Sequence, residues 1–209
     1  MQQLQQRTPG AGRTRAPRTP PAERRELLLV AAERLLEEGG SDALRMDALA
    51  RAGGVTRPVV YEHFGGRDAL VVALLERHAE RVRTHVAAAV ATSTSFEDEL
   101  RAATRAYMEV ARRHGPAMRA LVSASHLSPT IEAVRRSNWD AAVEHWSDRY
   151  RERAGLSRRD AEALVTAHLA ALAGSCIEGR IGIARVTDLH VTATLAALDS
   201  LSIRRVGHP

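Results

Sequence analysis

At 209 residues and 22.8 kDa the chain has room for one small domain plus one medium one, or for a single large domain. Hydrophobic residues at 44% and charged residues at 26% are ordinary for soluble globular proteins, which excludes whole-chain disorder. No run approaches the ~18 uninterrupted apolar residues of a membrane span. All 30 basic residues are arginine, set against 25 acidic ones, and a net charge of +5 is compatible with a nucleic-acid partner without demanding one. Cys176 is the single cysteine, so an internal disulfide is excluded and a reducing cytoplasm is expected. Between Gly174, Ser175 and Ile177 it reads as a small packed residue, not a catalytic thiol.

Residues 1–20 are rich in Gln, Arg, Pro, Thr and Gly without hydrophobic periodicity, which predicts a flexible basic arm. Arg7, Arg13, Arg15 and Arg18 could touch DNA phosphates or the minor groove, or simply solvate a tail. No apolar core of a secretory signal is present. From Pro20 and Pro21 the pattern turns helical. Glu23 and Glu26 suit a helix N-terminus, Leu28, Ala31, Ala32, Leu35 and Leu36 share one face, and Gly39-Gly40 ends the run. A short second helix fits Met46 to Ala52, followed by a turn at Gly53-Gly54. A third starts after Thr56 as N-cap and runs through Val59, Val60 and Tyr61 to Phe64 before Gly65-Gly66.

Longer helices are predicted at about 67–91, 96–114, 116–125, 129–154, 157–181 and 187–204. They are separated by breaks at Thr92 to Ser95, Gly115-Pro116, Ser128-Pro129, Gly155 to Ser157 and Gly182 to Thr187. The fold class is therefore all-α with about nine helices, and no period-two strand pattern or internal repeat competes.

Two helices joined by a glycine-containing turn, the second short enough for a major groove, form a helix-turn-helix reading unit, here Met46 to Phe64. Leu28, Ala32, Leu35, Leu49, Ala50, Val55, Val60 and Phe64 are its candidate core. Arg57 suits a guanine edge, and Val59 or the Thr56 methyl suits a thymine methyl. Tyr61 and His63 suit phosphates, with packing of Tyr61 on the first helix as the alternative. Glu62 reads as a solvated residue or an ion-pair partner of Arg57 or Arg67.

The blocks Leu28 to Leu36, Gly40, Asp47-Ala48-Leu49-Ala50, Gly54-Val55-Thr56-Arg57, Tyr61-Glu62-His63-Phe64 and Arg67-Asp68-Ala69-Leu70 resemble, in order and spacing, the N-terminal signature of the TetR family of transcriptional regulators over about residues 24–72. The resemblance implies a DNA-binding domain at 21–66, after the 1–20 arm, and a helical ligand-binding and dimerisation domain at 67–209. It also implies a phosphate contact from Arg67, where the family usually has lysine. Three positions depart from the pattern. Arg45 stands where a threonine often caps the second helix and is free to reach a phosphate, Gly53 stands where alanine is common, and Pro58 replaces a small residue and removes one backbone N–H.

For the C-terminal body the resemblance implies a four-helix homodimer interface. Leu164, Ala167, Ala171, Gly174, Leu195 and Leu198 are its candidates, together with Val191, Leu201 and Glu178 at the same helical spacing. An effector pocket between helices is expected from Tyr107, Met108, Met118, Leu121, Ser125, His126, Trp139, Val143, Trp146 and His168. The function implied is a cytoplasmic, sequence-specific regulator of a palindromic double-stranded DNA operator, by default a repressor released by a small molecule. No cofactor or metal is expected, since no His-Glu-x-x-His, phosphate loop or Gly-x-Ser-x-Gly occurs and catalysis lacks residues. The alternative is a helical ligand-binding or adaptor protein without specific DNA reading.

Overall fold

A computed structural model describes residues 19–123, 128–178 and 181–206, without the side chains of 120–123, 176–178 and 203–206. Residues 1–18 of the N-terminal arm, Ser125 and His126 lie outside the described residues, as does the side chain of Leu121. Eight helices and no strand occur among them: α1 (Pro21–Ala43), α2 (Met46–Ala52), α3 (Arg57–Phe64), α4 (Arg67–Val90), α5 (Phe96–Ser123), α6 (Pro129–Ala154), α7 (Arg158–Glu178) and α8 (Ile183–Val206).

Local chemistry sets most of these boundaries. Gly40, at φ 66° and ψ −162°, breaks the helical backbone of α1 where the glycine pair predicted it. Ser95 and Ser157 cap α5 and α7, each accepting a hydrogen bond from the backbone N–H three residues on, at 3.1 Å from Asp98 and 3.2 Å from Asp160. Gly155, in the left-handed conformation, ends α6 and donates its N–H to the Arg151 carbonyl at 2.7 Å.

One predicted break is absent. The sequence places a helix boundary at Gly115-Pro116, yet α5 runs through both residues, so eight helices stand where about nine were expected. Pro116 removes one hydrogen bond, but Gly115 offers no Cβ to crowd the proline ring, and Ala117 on the same turn is buried against the first core. Burial on both sides of the proline holds the helix together. The last helix likewise starts at Ile183 rather than near 187, its first turn closed by the Val186 N–H on the Gly182 carbonyl at 3.1 Å.

The largest core joins the reading unit to the body. Leu28, Leu29, Ala32 and Leu36 of α1 meet Leu49 and Ala50 of α2, Val60 and Phe64 of α3, Leu70, Val71 and Leu74 of α4, then Ala117 of α5 and Ile131 of α6. A second core centres on Leu100, Tyr150, Ala161, Val165, Val191 and Leu198, and a third on Met108, Leu172 and Val186. The turn between α2 and α3 fits against the first core very tightly. A Cβ on Gly53 would lie 2.5 Å from Leu28 Cδ2 and 3.2 Å from the Leu49 carbonyl, and Leu28 is only 1% exposed. Gly54 supplies the positive φ of 62° that turns the chain.

Polar groups are also held inside the helical body. The Tyr150 hydroxyl meets His168 Nδ1, Thr194 Oγ1 lies 3.3 Å from the same nitrogen, and the His168 ring stacks on His190 at 5.6 Å. Ser175 Oγ, which donates to the Ala171 carbonyl at 2.9 Å, lies 3.1 Å from His190 Nε2. Burial, with the neighbouring His190, pushes His168 from 6.5 down to about 4. Burial, with His114 and Arg81, does the same to His78 on α4, whose Nδ1 has no hydrogen-bond partner.

Two measurements check this packing. Gly53→Ala is expected to lower stability by about 1–2 kcal/mol in urea unfolding, because Leu28 must leave a filled site. Lowering the pH from 7 to 5 protonates His78 and His168 in the unfolded chain but not in the folded one. Stability therefore stays full above pH 6.5 and falls toward pH 4, by about 2 kcal/mol per histidine between pH 7 and pH 5. Unfolding curves at pH 7 and 5 should show a smaller loss for His78→Leu than for the unsubstituted protein, in a range where carboxylates still carry their charge.

Candidate nucleic-acid interface

The position of α3 follows from its two buried residues. Val60 is fully buried and Phe64 is 5% exposed, and both face the first core. The helical period then sends Arg57, Pro58, Tyr61 and Glu62 to the outside, while Val59 and His63 flank them half-buried. Thr56 occupies the N-cap with extended backbone but makes no side-chain capping bond, so its hydroxyl and methyl are exposed at the start of the helix.

Arg57 donates from Nη2 to the Tyr61 hydroxyl at 3.1 Å, and its guanidinium lies 5.4 Å from the centre of the Tyr61 ring. That hydrogen bond, with the charge interaction between the same two groups, raises the guanidinium pKa further above its ordinary value. The pair holds a fully charged fork on the outer face with four of its five N–H groups uncommitted to Tyr61. Glu62 pairs with neither Arg57 nor Arg67, in contrast to the ion pair weighed from the sequence. Tyr61 has taken Arg57 and the Leu44 carbonyl has taken Arg67.

The α2 surface beside this helix is also basic. Asp47 lies between two arginines, with Arg45 Nε at 3.6 Å and Arg51 Nη1 at 3.2 Å. Slight desolvation, which would raise the Asp47 pKa, is outweighed by the Arg51 hydrogen bond and the charge of Arg45, so the carboxyl sits below its usual range. Arg45 and Arg51 are both exposed. Arg67 Nε donates to the Leu44 carbonyl at 3.4 Å across the unit, which ties the start of α4 to the end of α1. Arg25 of α1 lies 5.2 Å from the centre of the Phe64 ring and steadies the far end of α3.

Arg45, Thr56, Arg57, Tyr61 and Arg67 are thus all exposed on the reading unit, with Val59 and His63 at the margins of its outer face. Sequence reasoning missed Arg51 and Arg25. The Asp47/Arg51 spacing of four residues was a legible signal for the first, whereas only the tertiary approach of α1 to α3 exposes the second.

Residues expected to line an effector pocket are spread through the body. Met118 packs on the first core, Val143 and Trp146 on the second, Tyr107 on the third beside Met108, and His168 lies in the Tyr150 network. Trp139 is 37% exposed on α6. An open hollow of about 650 Å³ runs along α6 past Glu132, Arg136, Asp140 and Glu144, and another of about 380 Å³ lies between α4 and α5. Neither touches these residues. Of the expected interface residues, Ala167, Ala171 and Gly174 are exposed, and Leu164 and Leu195 are half-buried against the second core. Leu198 is wholly buried inside the chain.

Comparison with known proteins agrees with this arrangement. Residues 28–74 match the family described as bacterial regulatory proteins, tetR family. Over 160 residues the chain is 29% identical to the HTH-type transcriptional activator FasR of Mycolicibacterium smegmatis, covering 76% of this chain and 73% of that one. Its fold resembles a TetR-like transcriptional regulator from Rhodococcus sp. RHA1, with a TM-score of 0.61, 23% identity and coverage of 92% of this chain and 100% of that one. It also resembles a tetR-family regulator from Streptomyces coelicolor, with a TM-score of 0.70, 23% identity and coverage of 88% and 83%. The matched segment contains the α2–turn–α3 unit and its basic face, and these likenesses support a tetR-family regulator with an N-terminal helix-turn-helix segment.

Proposed function

We propose that the chain works in the cytoplasm as a non-enzymatic homodimer that reads a palindromic double-stranded DNA operator through α3, under control of its helical body. The observation that carries this reading is the Arg57–Tyr61 pair, exposed at the start of α3 and flanked by Arg45, Arg51 and Arg67. Arg57 would take the guanine edge, Thr56 and Val59 would meet thymine methyls, and Arg45, Tyr61, His63 and Arg67 would fix register on phosphates. Among the described residues no helix is long and apolar enough to cross a membrane.

Two α3 helices must lie about 34–36 Å apart to read successive half-sites, which calls for a second copy of the chain. An unpartnered small-residue face supports where that copy would pack: Ala167, Ala171 and Gly174 on α7, beside Leu189, Ala193 and Ala196 on α8. A small molecule held in the body would act by altering that separation, and a 100-fold switch takes about 2.7 kcal/mol. Repression by operator occlusion is the default mode of this reading. The FasR relative is named an activator, and a promoter assay with the operator moved upstream separates the two modes.

The first test titrates DNA flanking the chain's own gene, with excess nonspecific competitor, against the unsubstituted protein and Arg57→Ala/Tyr61→Ala. Competitor-resistant binding should be lost in the double substitution, by at least about 100-fold for a lost guanine fork and phosphate contact. Equal titrations would favour the adaptor reading. Sedimentation of Ala171→Glu is expected to show monomers and a parallel loss of operator binding, and an unchanged dimer would place the interface on another face.

A further inference from the structure

Along the contact between the reading unit and the body, carboxylates of α1 meet cations of α4 and α5, with Arg25 of α1 as a further cation near Arg77. α1 presents Glu26, Glu33 and Glu37, whereas α4 presents Arg77, His78 and Arg81, and α5 adds Arg113 and His114. Glu33 is the meeting point. Both of its oxygens accept from one guanidinium, Arg81 Nη1 to Oε1 at 2.6 Å and Nη2 to Oε2 at 3.0 Å. Arg77 Nε lies 3.3 Å from the same Oε1, without the alignment of a hydrogen bond, while its Nη1 donates to Glu26.

Arg77 at 19% and Arg81 at 26% are less exposed than the arginines of the other ion pairs, of which Arg149 is the least exposed at 37%, and Glu33 is at 17%. Exposed pairs contribute little because water screens them, but a two-toothed pair in a crevice has one strongly preferred geometry. The surroundings sharpen the preference. Burial, then the charges of Arg81 and Arg25, holds the Arg77 pKa below its ordinary value, so the two arginines repel each other and Glu33 is the anion between them.

The apolar core beneath has no such directionality. Leu28, Leu29 and Leu36 pack with Leu74 and Leu75 in the first core, where many dispersion contacts hold the helices together but no single one prefers an angle. Among the described residues, the directional side-chain contacts between α1 and α4 lie at Glu33 and Glu26, with Arg67 on the Leu44 carbonyl at the far end of α1. α1 carries α2 and α3 with it, so a change in its angle moves the basic face of α3 as a lever.

We propose that Glu33 is a positioning residue for DNA binding, which clamps α1 to Arg81 and Arg77 of α4 and so sets the angle at which the body presents α3. The inference rests on the DNA-reading function proposed above. It assigns the coupling between body and reading unit to a definite contact that touches neither DNA nor any cavity. In this structure α4 runs from the clamp back to Arg67 at the edge of the DNA-facing surface, so a shift of α4 reaches α3 by two routes.

The test uses the full chain with a Glu33→Gln substitution, an Arg81→Gln substitution, and both together. Two readouts are taken: affinity for the DNA flanking its own gene, and the distance distribution between spin labels placed at Glu62 on α3 and Asp140 on α6. The labels are introduced as cysteines with Cys176→Ser, and the samples are diluted with unlabelled protein. Each single substitution should broaden the distribution and weaken competitor-resistant binding about tenfold, and the double substitution should cost little more than either one, the mark of a shared contact. A structural role alone would lower the unfolding midpoint but leave both the distribution and the affinity of the folded fraction unchanged, and that result would overturn the proposal. Broadening with unaltered affinity would overturn it as well. Failure of the unsubstituted protein to bind specifically would instead sink the DNA-reading function, and the distance arm would still decide whether Glu33 fixes the angle.

Discussion

The three-helix reading unit shares one core with the helical body, and that continuity ties the placement of α3 to the rest of the molecule. The unit's apolar face does not close on itself. Leu28, Leu36, Leu49, Val60 and Phe64 continue into Leu70, Val71 and Leu74 of α4, then into Ala117 of α5 and Ile131 of α6. Small domains bury a lower fraction of their surface than large ones and are correspondingly marginal, so leaning on the body supplies area that the unit lacks. The same continuity makes the reading helix sensitive to the body, since any rearrangement at the end of α5 or the start of α6 meets the core that supports α3.

Over that shared core the polar contacts divide into two kinds. On the outer face of α2 and α3, arginines are held by neutral or weakly competing partners: Tyr61 for Arg57, the Leu44 carbonyl for Arg67, and one carboxylate shared by Arg45 and Arg51. Such partners orient a guanidinium without spending its charge, which suits a surface meant to meet phosphates and base edges. On the opposite side of α1, arginines are matched by carboxylates in a crevice, where the charge is consumed in fixing an angle. An arginine's environment therefore tells its task more clearly than its presence, in a chain whose basic residues are all of one type.

The second and third cores organise the body around a polar layer. Tyr150, His168, His190, Ser175 and Thr194 link α6, α7 and α8, and burial keeps the His168 imidazole neutral at physiological pH. The His168 Nδ1 meets both the Tyr150 hydroxyl and Thr194 Oγ1, so the network constrains the register of α6, α7 and α8. Alanine-rich faces pack closely but slide easily, and a directional network restores definition there as Glu33 does at the other end of the molecule.

What the sequence alone determined was local and periodic. The all-helical class, the three N-terminal helices, their glycine turns and the outward face of α3 all follow from apolar spacing and from residues with restricted backbone preferences, and none of these needs a distant partner. Tertiary structure decided what depends on contacts between segments far apart in the chain. It carried α5 through Pro116, because burial of Ala117 outweighs one missing hydrogen bond. It gave Arg57 to Tyr61 and not to Glu62, spread the expected pocket residues over three separate cores, and buried Leu198 within the chain. It also brought Glu33 to Arg81 across 48 positions, a pairing that no periodicity encodes because it depends on the angle at which two helices cross.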